Sequence, residues 1–291
     1  MTDESLKEEI LINVTPSEVR AAVLENGVLQ EVYVERAARR GLISNIYKGR
    51  AMRVLPGMQA AFIDIGLERT AFLHASDIAR RGMAENGVEI PSIRELVREG
   101  DEIMVQVVKD PLGNKGARLT TYVTLPSRHL VLLPRSKTVG ISARIEDEEE
   151  RERLHDIVDR MRNPESEHGY IVRTNAEAVD EFALAADMAY LDKVWASIGE
   201  KQLSSRGGEC VYDDLSLPLR AVRDLMHGQV DRVRVDNAET FSRLTDFVSR
   251  FVPEWLPRIE RYEVERPIFD VYGVEDEIEN ALHRTTPLKS G

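Results

Sequence analysis

The sequence predicts an α+β chain of several subdomains that includes a small closed β-barrel. Three observations carry this. Residues 9–36 are patterned as antiparallel strands, residues 42–123 hold five short strands with glycines at their corners, and beyond residue 125 helices and strands alternate. At 291 residues and 33.0 kDa there is room for two or three domains of ~100–200 residues each. With 42% hydrophobic and 31% charged residues, the composition builds cores and solvates their surfaces, which excludes a disordered tail.

Taking the elements in order, EILINV, VRAAVL and LQEVYVE alternate apolar with polar or carry β-branched runs, so residues 9–36 read as three strands. Asn26-Gly27 joins two of them, because this dipeptide tolerates the two positive φ angles of a type I′ turn. The barrel strands lie in LISNIYKGRAMRVL, QAAFIDIG, TAFLHA, EIMVQVVKD and RLTTYVTL. Pro56-Gly57, Gly66, an irregular stretch at 80–92 and the segment 113–116 separate them, as an OB-type barrel requires.

Further on, residues 147–162 form a charged helix with Glu/Arg pairs three and four apart, and GYIVRT is a short buried strand. Residues 176–199 form a second helix with Phe182, Leu184, Met188, Leu191 and Trp195 near helical spacing, and the polar, glycine-rich segment 200–209 reads as a linker. The rest comprises helix 215–226, strand DRVRVD, helix 238–251 capped by Asp236 or Asn237, strands RIERYE and PIFDVY, and helix 275–283. The closing TTPLKSG has the look of an approach to another strand.

The formal net charge of −12 argues against a protein that coats nucleic acid, but it is unevenly spread. Residues 40–125 are near neutral, whereas 126–291 hold 23 basic against 33 acidic side chains. The single cysteine, Cys210, excludes a disulfide framework or a Cys-rich zinc site within these residues. There is no apolar run of 18 residues and the opening MTDESLKEEI is acidic, so a soluble cytoplasmic protein is expected.

Phe62 and Phe72 lie ten residues apart across a glycine turn. On one outer face of a barrel they would stack unpaired bases; turned inward they are core. Tyr47-Lys48-Gly49-Arg50 and Lys115 add positive charge nearby. GNKGARLTT sets Lys115 between two glycines, either as a phosphate-binding turn or as a solvated hairpin tip, and it lacks Walker spacing. Arg173-Thr174 offers a guanidinium fork and a hydroxyl at a strand end, suited to a terminal phosphate or to pairing with a surface carboxylate.

Hydrolytic chemistry has weaker signals. The first strand carries Asn13 where a metal-binding sheet of ribonuclease H type would need a carboxylate. The acidic run EDEEERER reads as a solvated helix face, the six histidines form no zinc motif, and no GxSxG elbow appears.

Together ILINVTPSEVRAAVLENGVLQEVYVER, NIYKGR, VLPGMQAAFIDIG, AFLHASDI, LVREGDEIMVQVVKDPLGNKGARLTT, LVLLP, GISARIE, IVRT and RPIFDVYGVEDEIENAL closely resemble the N-terminal part of the ribonuclease E/G family, nearly without gaps from residue 9 to 291. The resemblance implies a split ribonuclease H-like subdomain at 1–38 and 212–284. It also implies an inserted S1 RNA-binding (OB-fold) domain at 39–125, an α/β 5′-sensor domain at 126–211, and the start of a DNase I-like subdomain at 285–291. It implies an endoribonuclease acting on single-stranded, A/U-rich RNA in ribosomal RNA maturation and messenger decay.

By the same resemblance, Phe62, Phe72 and Lys115 bind RNA, while Arg173, Thr174, Val131, Ser127 and Arg144 sense a 5′-monophosphate. Ser127 replaces a glycine of one branch, and an arginine of that branch falls at Ala143, beside Arg144, which weakens or relocates the preference. The family's Mg²⁺-binding aspartates and its Zn²⁺ link between protomers belong to regions beyond those matched here. The full-length relatives are accordingly expected to be homodimers, and these 291 residues a monomer that binds RNA without hydrolysing it. A non-catalytic S1-domain RNA-binding module is the alternative.

Overall fold

The computed structural model describes residues 7–78, 91–163 and 165–283. Most of the irregular stretch at 80–92, and the segment 285–291 expected to open a further subdomain, lie outside the described residues. The chain divides into two compact units, Met1–Arg40 with Leu215–Gly291, and Gly41–Asp214.

The first unit opens with β1 (Glu8–Val14), β2 (Glu18–Glu25) and β3 (Val28–Arg36), paired antiparallel in sequence. Asn26 and Gly27 take φ of 50° and 78°, the pair of positive values expected of their turn.

In the second unit, β4 (Ile46–Leu55), β5 (Ala60–Asp64), β6 (Ala71–His74), the short helix α1 (Ile93–Leu96), β7 (Glu102–Lys109) and β8 (Arg118–Thr120) follow in order. The strands pair β4-β5-β6-β8-β7 and β7 returns to β4, which closes a five-stranded barrel of OB type. Ala61, Ile63, Ala71, Leu73, Val105, Val107 and Leu119 fill it. Two glycines permit close approach: a Cβ on Gly49 would meet Ile63 at 2.4 Å, and one on Gly116 would meet the Thr70 carbonyl oxygen at 2.0 Å.

A second sheet follows, with β9 (Leu125–Pro126), β10 (Leu130–Leu133), β11 (Val139–Ile141) and β12 (Gly169–Val172) in the order β11-β12-β10-β9. Helix α2 (Glu148–Met161) packs on β11 and β12, and α3 (Glu181–Ser204) packs on β10. The helix expected from residue 176 starts later because Asp180 caps it, accepting from the Ala183 N–H at 2.8 Å. It also runs through the first part of the expected linker. The remainder of that linker leads into β13 (Glu209–Tyr212), which pairs with β4. Phe182, in the first turn, is 82% exposed rather than core-facing.

The chain then returns to the first unit with α4 (Leu217–Leu225), β14 (Val230–Val235), α5 (Ala238–Phe251) and β15 (Ile259–Arg261). The sheet order is β15-β14-β1-β2-β3, with β14 parallel to both neighbours. Asn237, not Asp236, caps α5, its Oδ1 accepting from the Thr240 N–H at 2.9 Å. PIFDVY is not a strand. It forms the single-turn helix α6 (Ile268–Val271), whose adjacent Ile268 and Phe269 are both fully buried, which the alternating faces of a strand disfavour. Gly273, at φ +67°, turns the chain into α7 (Val274–Leu282).

Candidate nucleic-acid interface

Strand alternation decides where the barrel's aromatic rings go. Ala61, Ile63, Ala71 and Leu73 point into the core, so Phe62 and Phe72, one residue out of phase, stand on the outer face and are half-buried. The two are direct Cα partners across β5 and β6, with ring centroids 6.2 Å apart at 70°. Arg53 pairs with Phe62 from β4, Arg118 pairs with Phe72 from β8, and Lys109 follows on β7. One cross-strand row therefore reads cation, ring, ring, cation, cation.

The cations differ in availability. Arg118 is tied to Asp77 at 3.0 Å, whereas Arg53 is exposed and has no hydrogen-bond or ion-pair partner among the described residues. Lys115 is exposed at a turn closed by reciprocal backbone hydrogen bonds with Leu112. The Tyr47-Lys48 half of the expected basic segment is not free. Tyr47 is buried in the barrel, and Lys48 donates to the Ser205 carbonyl at 2.9 Å and pairs with Glu102 at 3.0 Å.

His74 was missed by sequence reasoning, although its place two residues after Phe72 puts it on the same strand face. Its ring lies 6.4 Å from that of Phe72, at 27°.

The second constellation lies at the end of β12. Arg173 donates through Nη1 to the carbonyls of Ser127 and Arg128, and its other guanidinium N–H groups have no partner among the described residues. Thr174 and Ser142 bring their hydroxyl oxygens within 3.2 Å, and the Arg144 N–H donates to Ser142 Oγ at 3.3 Å. Ser142 thus joins the segment carrying Arg144 to the Arg173-Thr174 turn, a role the sequence did not signal. Val131 on β10 is half-buried and pairs with Ile171, which in turn pairs with Gly140 on β11.

Ser127 occupies a different position from the one expected of a phosphate contact. Its side chain is fully buried, donating to Asp187 on α3, and only its carbonyl faces Arg173. His129 is also buried, with Nδ1 2.8 Å from the Asn175 carbonyl. Burial holds its pKa below the usual histidine value, against the opposing pull of the Asp187 charge.

The acidic helix α2 is not wholly solvated. Glu150 pairs with Arg153 at 2.6 Å and accepts the Ala178 N–H at 2.8 Å, which holds its carboxyl below the usual range. In the first unit, Asn13 donates to Asp236 at 2.6 Å and accepts from Arg20. Arg20 forks onto Glu275 and lies 4.7 Å from the Phe269 ring centroid, so the Asn13 amide serves an internal network. Among the described residues no group of three or more His, Cys, Asp or Glu is placed to hold a metal ion, and no helix is long and apolar enough to cross a membrane.

A sequence profile of the ribonuclease E/G family matches residues 124–291, and one of the S1 RNA binding domain matches residues 44–121. The chain is 51% identical over 288 residues to ribonuclease G of Salmonella typhimurium (strain SL1344) and 50% identical to that of Escherichia coli (strain K12). Each comparison covers 97% of this chain and 58% of the relative. Ribonuclease E of Escherichia coli (strain K12) is 33% identical over 287 residues, which is 97% of this chain and 27% of that protein.

Proposed function

The chain belongs to the ribonuclease E/G family, and from that membership we propose that these residues bind single-stranded RNA and read its 5′ end for an endoribonuclease. The observation that carries the reading is the outer-face pair of Phe62 and Phe72 with Arg53 beside it, within the segment that matches the S1 domain. Unpaired bases stack on the rings, while Arg53 and Lys115 neutralise phosphates. RNA in duplex form keeps its bases stacked on one another and is a poor ligand for such a face.

At the end of β12, Arg173 and Thr174 take a 5′-monophosphate, Arg144 adds charge from the neighbouring turn, and Val131 supplies an apolar flank. The support is a guanidinium positioned by two carbonyls with N–H groups to spare, next to a hydroxyl. Ser127 acts there through its backbone. We assign the segments by the same reading: a ribonuclease H-like subdomain at 1–38 and 212–284, an S1 domain at 39–125 and a sensor at 126–211.

For the whole protein we propose phosphodiester hydrolysis of A/U-rich RNA in ribosomal RNA maturation and messenger decay. The family's reaction uses Mg²⁺. The described carboxylates do not fit such a site, since they are spent on ion pairs and caps or stand apart. These residues bind and orient RNA. The test is fluorescence anisotropy with a 3′-labelled single-stranded oligoribonucleotide at fixed salt, on the unmodified chain and on Phe62→Ala and Phe72→Ala. Each substitution is expected to weaken binding by about 1–3 kcal/mol; unchanged affinity in both discards the reading.

A further inference from the structure

We propose that His129 is a positioning residue for 5′-end recognition, holding the Arg173-Thr174 turn in the geometry that takes a 5′-monophosphate. The proposal rests on the reading of Arg173 and Thr174 as the phosphate contacts. Strand pairing does not place either of them: the last pair between β10 and β12 is Leu130 with Val172, and both residues lie just beyond it. His129, one residue before that pair, takes over. Its carbonyl accepts the Arg173 N–H at 2.8 Å, and its ring Nδ1 lies 2.8 Å from the Asn175 carbonyl. A carbonyl oxygen can only accept, so Nδ1 carries the proton and donates. One residue thus pins the backbone on both sides of Thr174.

His129 is itself fixed. It is 6% exposed, and its backbone N–H donates to Asp187 on α3 at 2.6 Å. Asn175 is exposed, and its carbonyl accepts no other hydrogen bond among the described residues. Without the ring donor that peptide is free to rotate, and Thr174, the residue before it, moves with it. The Thr174 hydroxyl lies 3.2 Å from Ser142 Oγ, which accepts the Arg144 N–H, so a displaced Thr174 also loosens the segment that carries Arg144. Recognition of a phosphate by a guanidinium and a hydroxyl is directional, and donors already in place bind it without the cost of ordering them. A histidine that served packing alone would affect stability and leave the preference for a phosphorylated end untouched.

The experiment is a set of anisotropy titrations at fixed salt with 3′-fluorescein single-stranded decaribonucleotides that begin with a 5′-monophosphate or a 5′-hydroxyl. The proteins are the unmodified 291-residue chain, His129→Phe, His129→Asn and Arg173→Gln. His129→Phe keeps a ring and removes the donor, whereas His129→Asn sets an amide N–H where Nδ1–H stood. The expected result for His129→Phe is a fall of about fivefold in the preference for the phosphorylated decamer, the effect of about one hydrogen bond. His129→Asn should stay within about twofold of the unmodified chain, and the affinity for the 5′-hydroxyl decamer should hold in both. If His129→Phe loses the 5′-hydroxyl decamer as well, its fold is damaged and His129→Leu takes its place in the comparison. If the preference survives removal of the donor while Arg173→Gln abolishes it, the proposal fails and the reading of the 5′-end contacts stands. If His129→Asn falls as far as His129→Phe, the Nδ1 bond is not what positions the turn and the proposal fails. If the unmodified chain shows no preference, the reading of the 5′-end contacts falls and the proposal falls with it.

Discussion

Ser127 donates through Oγ to Asp187 Oδ2 over 2.7 Å, and the same carboxylate oxygen accepts the backbone N–H groups of His129 at 2.6 Å and Leu130 at 3.1 Å. One side chain on α3 thereby fixes the turn between β9 and β10. That turn supplies the carbonyls of Ser127 and Arg128 that hold Arg173.

Removing that carboxylate should cost more than removing the hydroxyl. Asp187→Ala leaves the His129 N–H without its acceptor, at about 1–3 kcal/mol, and reduces the Ser127 hydroxyl and the Leu130 N–H to their local bonds with each other's segment, at 3.0 and 3.3 Å, whereas Ser127→Ala removes one donor and should cost about 1 kcal/mol. Urea denaturation of the two variants checks the order. Equal losses would show that the turn does not depend on Asp187.

Arg173→Gln is expected to bring the affinities for 5′-monophosphorylated and 5′-hydroxyl oligoribonucleotides together, a loss of about tenfold for the former, because hydrogen bonds to a charged phosphate contribute about 1.5–3 kcal/mol. Arg144→Ala should reduce the ratio less, since its side chain has no positioning partner among the described residues. Paired titrations with 3′-labelled oligonucleotides measure both, and a ratio unmoved by Arg173→Gln would remove that residue from the phosphate site.

Arg53→Gln should change the salt dependence of binding in preference to its sequence dependence. Each single-strand phosphate that is no longer neutralised reduces the steepness of log K against log salt by about 0.7. Phe72→Ala, which removes an uncharged ring, should leave that slope alone. Isotherms at four salt concentrations separate the two effects.

Acidification should destabilise the second unit through His129. Its pKa in the folded chain lies below the ordinary value of 6.5, chiefly from burial, so protons bind the unfolded chain more readily. The contribution to stability is complete above pH 6.5 and is lost as pH falls from 6.5 toward the depressed native value. His129→Gln should flatten this part of the curve. Thermal unfolding between pH 7.5 and 5 tests it, and identical slopes in the two proteins would exclude His129 as the source.

Much of the fold was legible because its signals are local. The Asn26-Gly27 turn, the barrel's alternating strands and the cap of α5 each depend on a few neighbouring residues. PIFDVY misled because its apolar run suits a strand or a buried helical turn equally, and only the burial of both Ile268 and Phe269 decides. Segment 200–209 misled because its polar composition conceals the end of α3 and a strand whose partner, β4, lies about 160 residues earlier. At the interface, alternation sufficed to place Phe62 and Phe72 outside once the strands were known. The engagement of Lys48 with Ser205 and Glu102, and of Ser127 with Asp187, joins residues 54 to 157 positions apart and left no local trace.

The parallel pairing of β1 with β14 has a consequence for synthesis on the ribosome. Asn13 and Asp236, which bond at the ends of those strands, are separated by 223 positions, and the entire second unit is translated between them. At ~5–20 residues per second, β1 waits roughly 10–45 s for its partner. During that interval Ile10, Leu11 and Ile12, which end fully buried, have only the hairpin of β2 and β3 to shelter them. The barrel and second sheet can fold in the meantime, so the unit begun first is completed last. Pulse-labelling of nascent chains should find the second unit protease-resistant while the first is still cleaved.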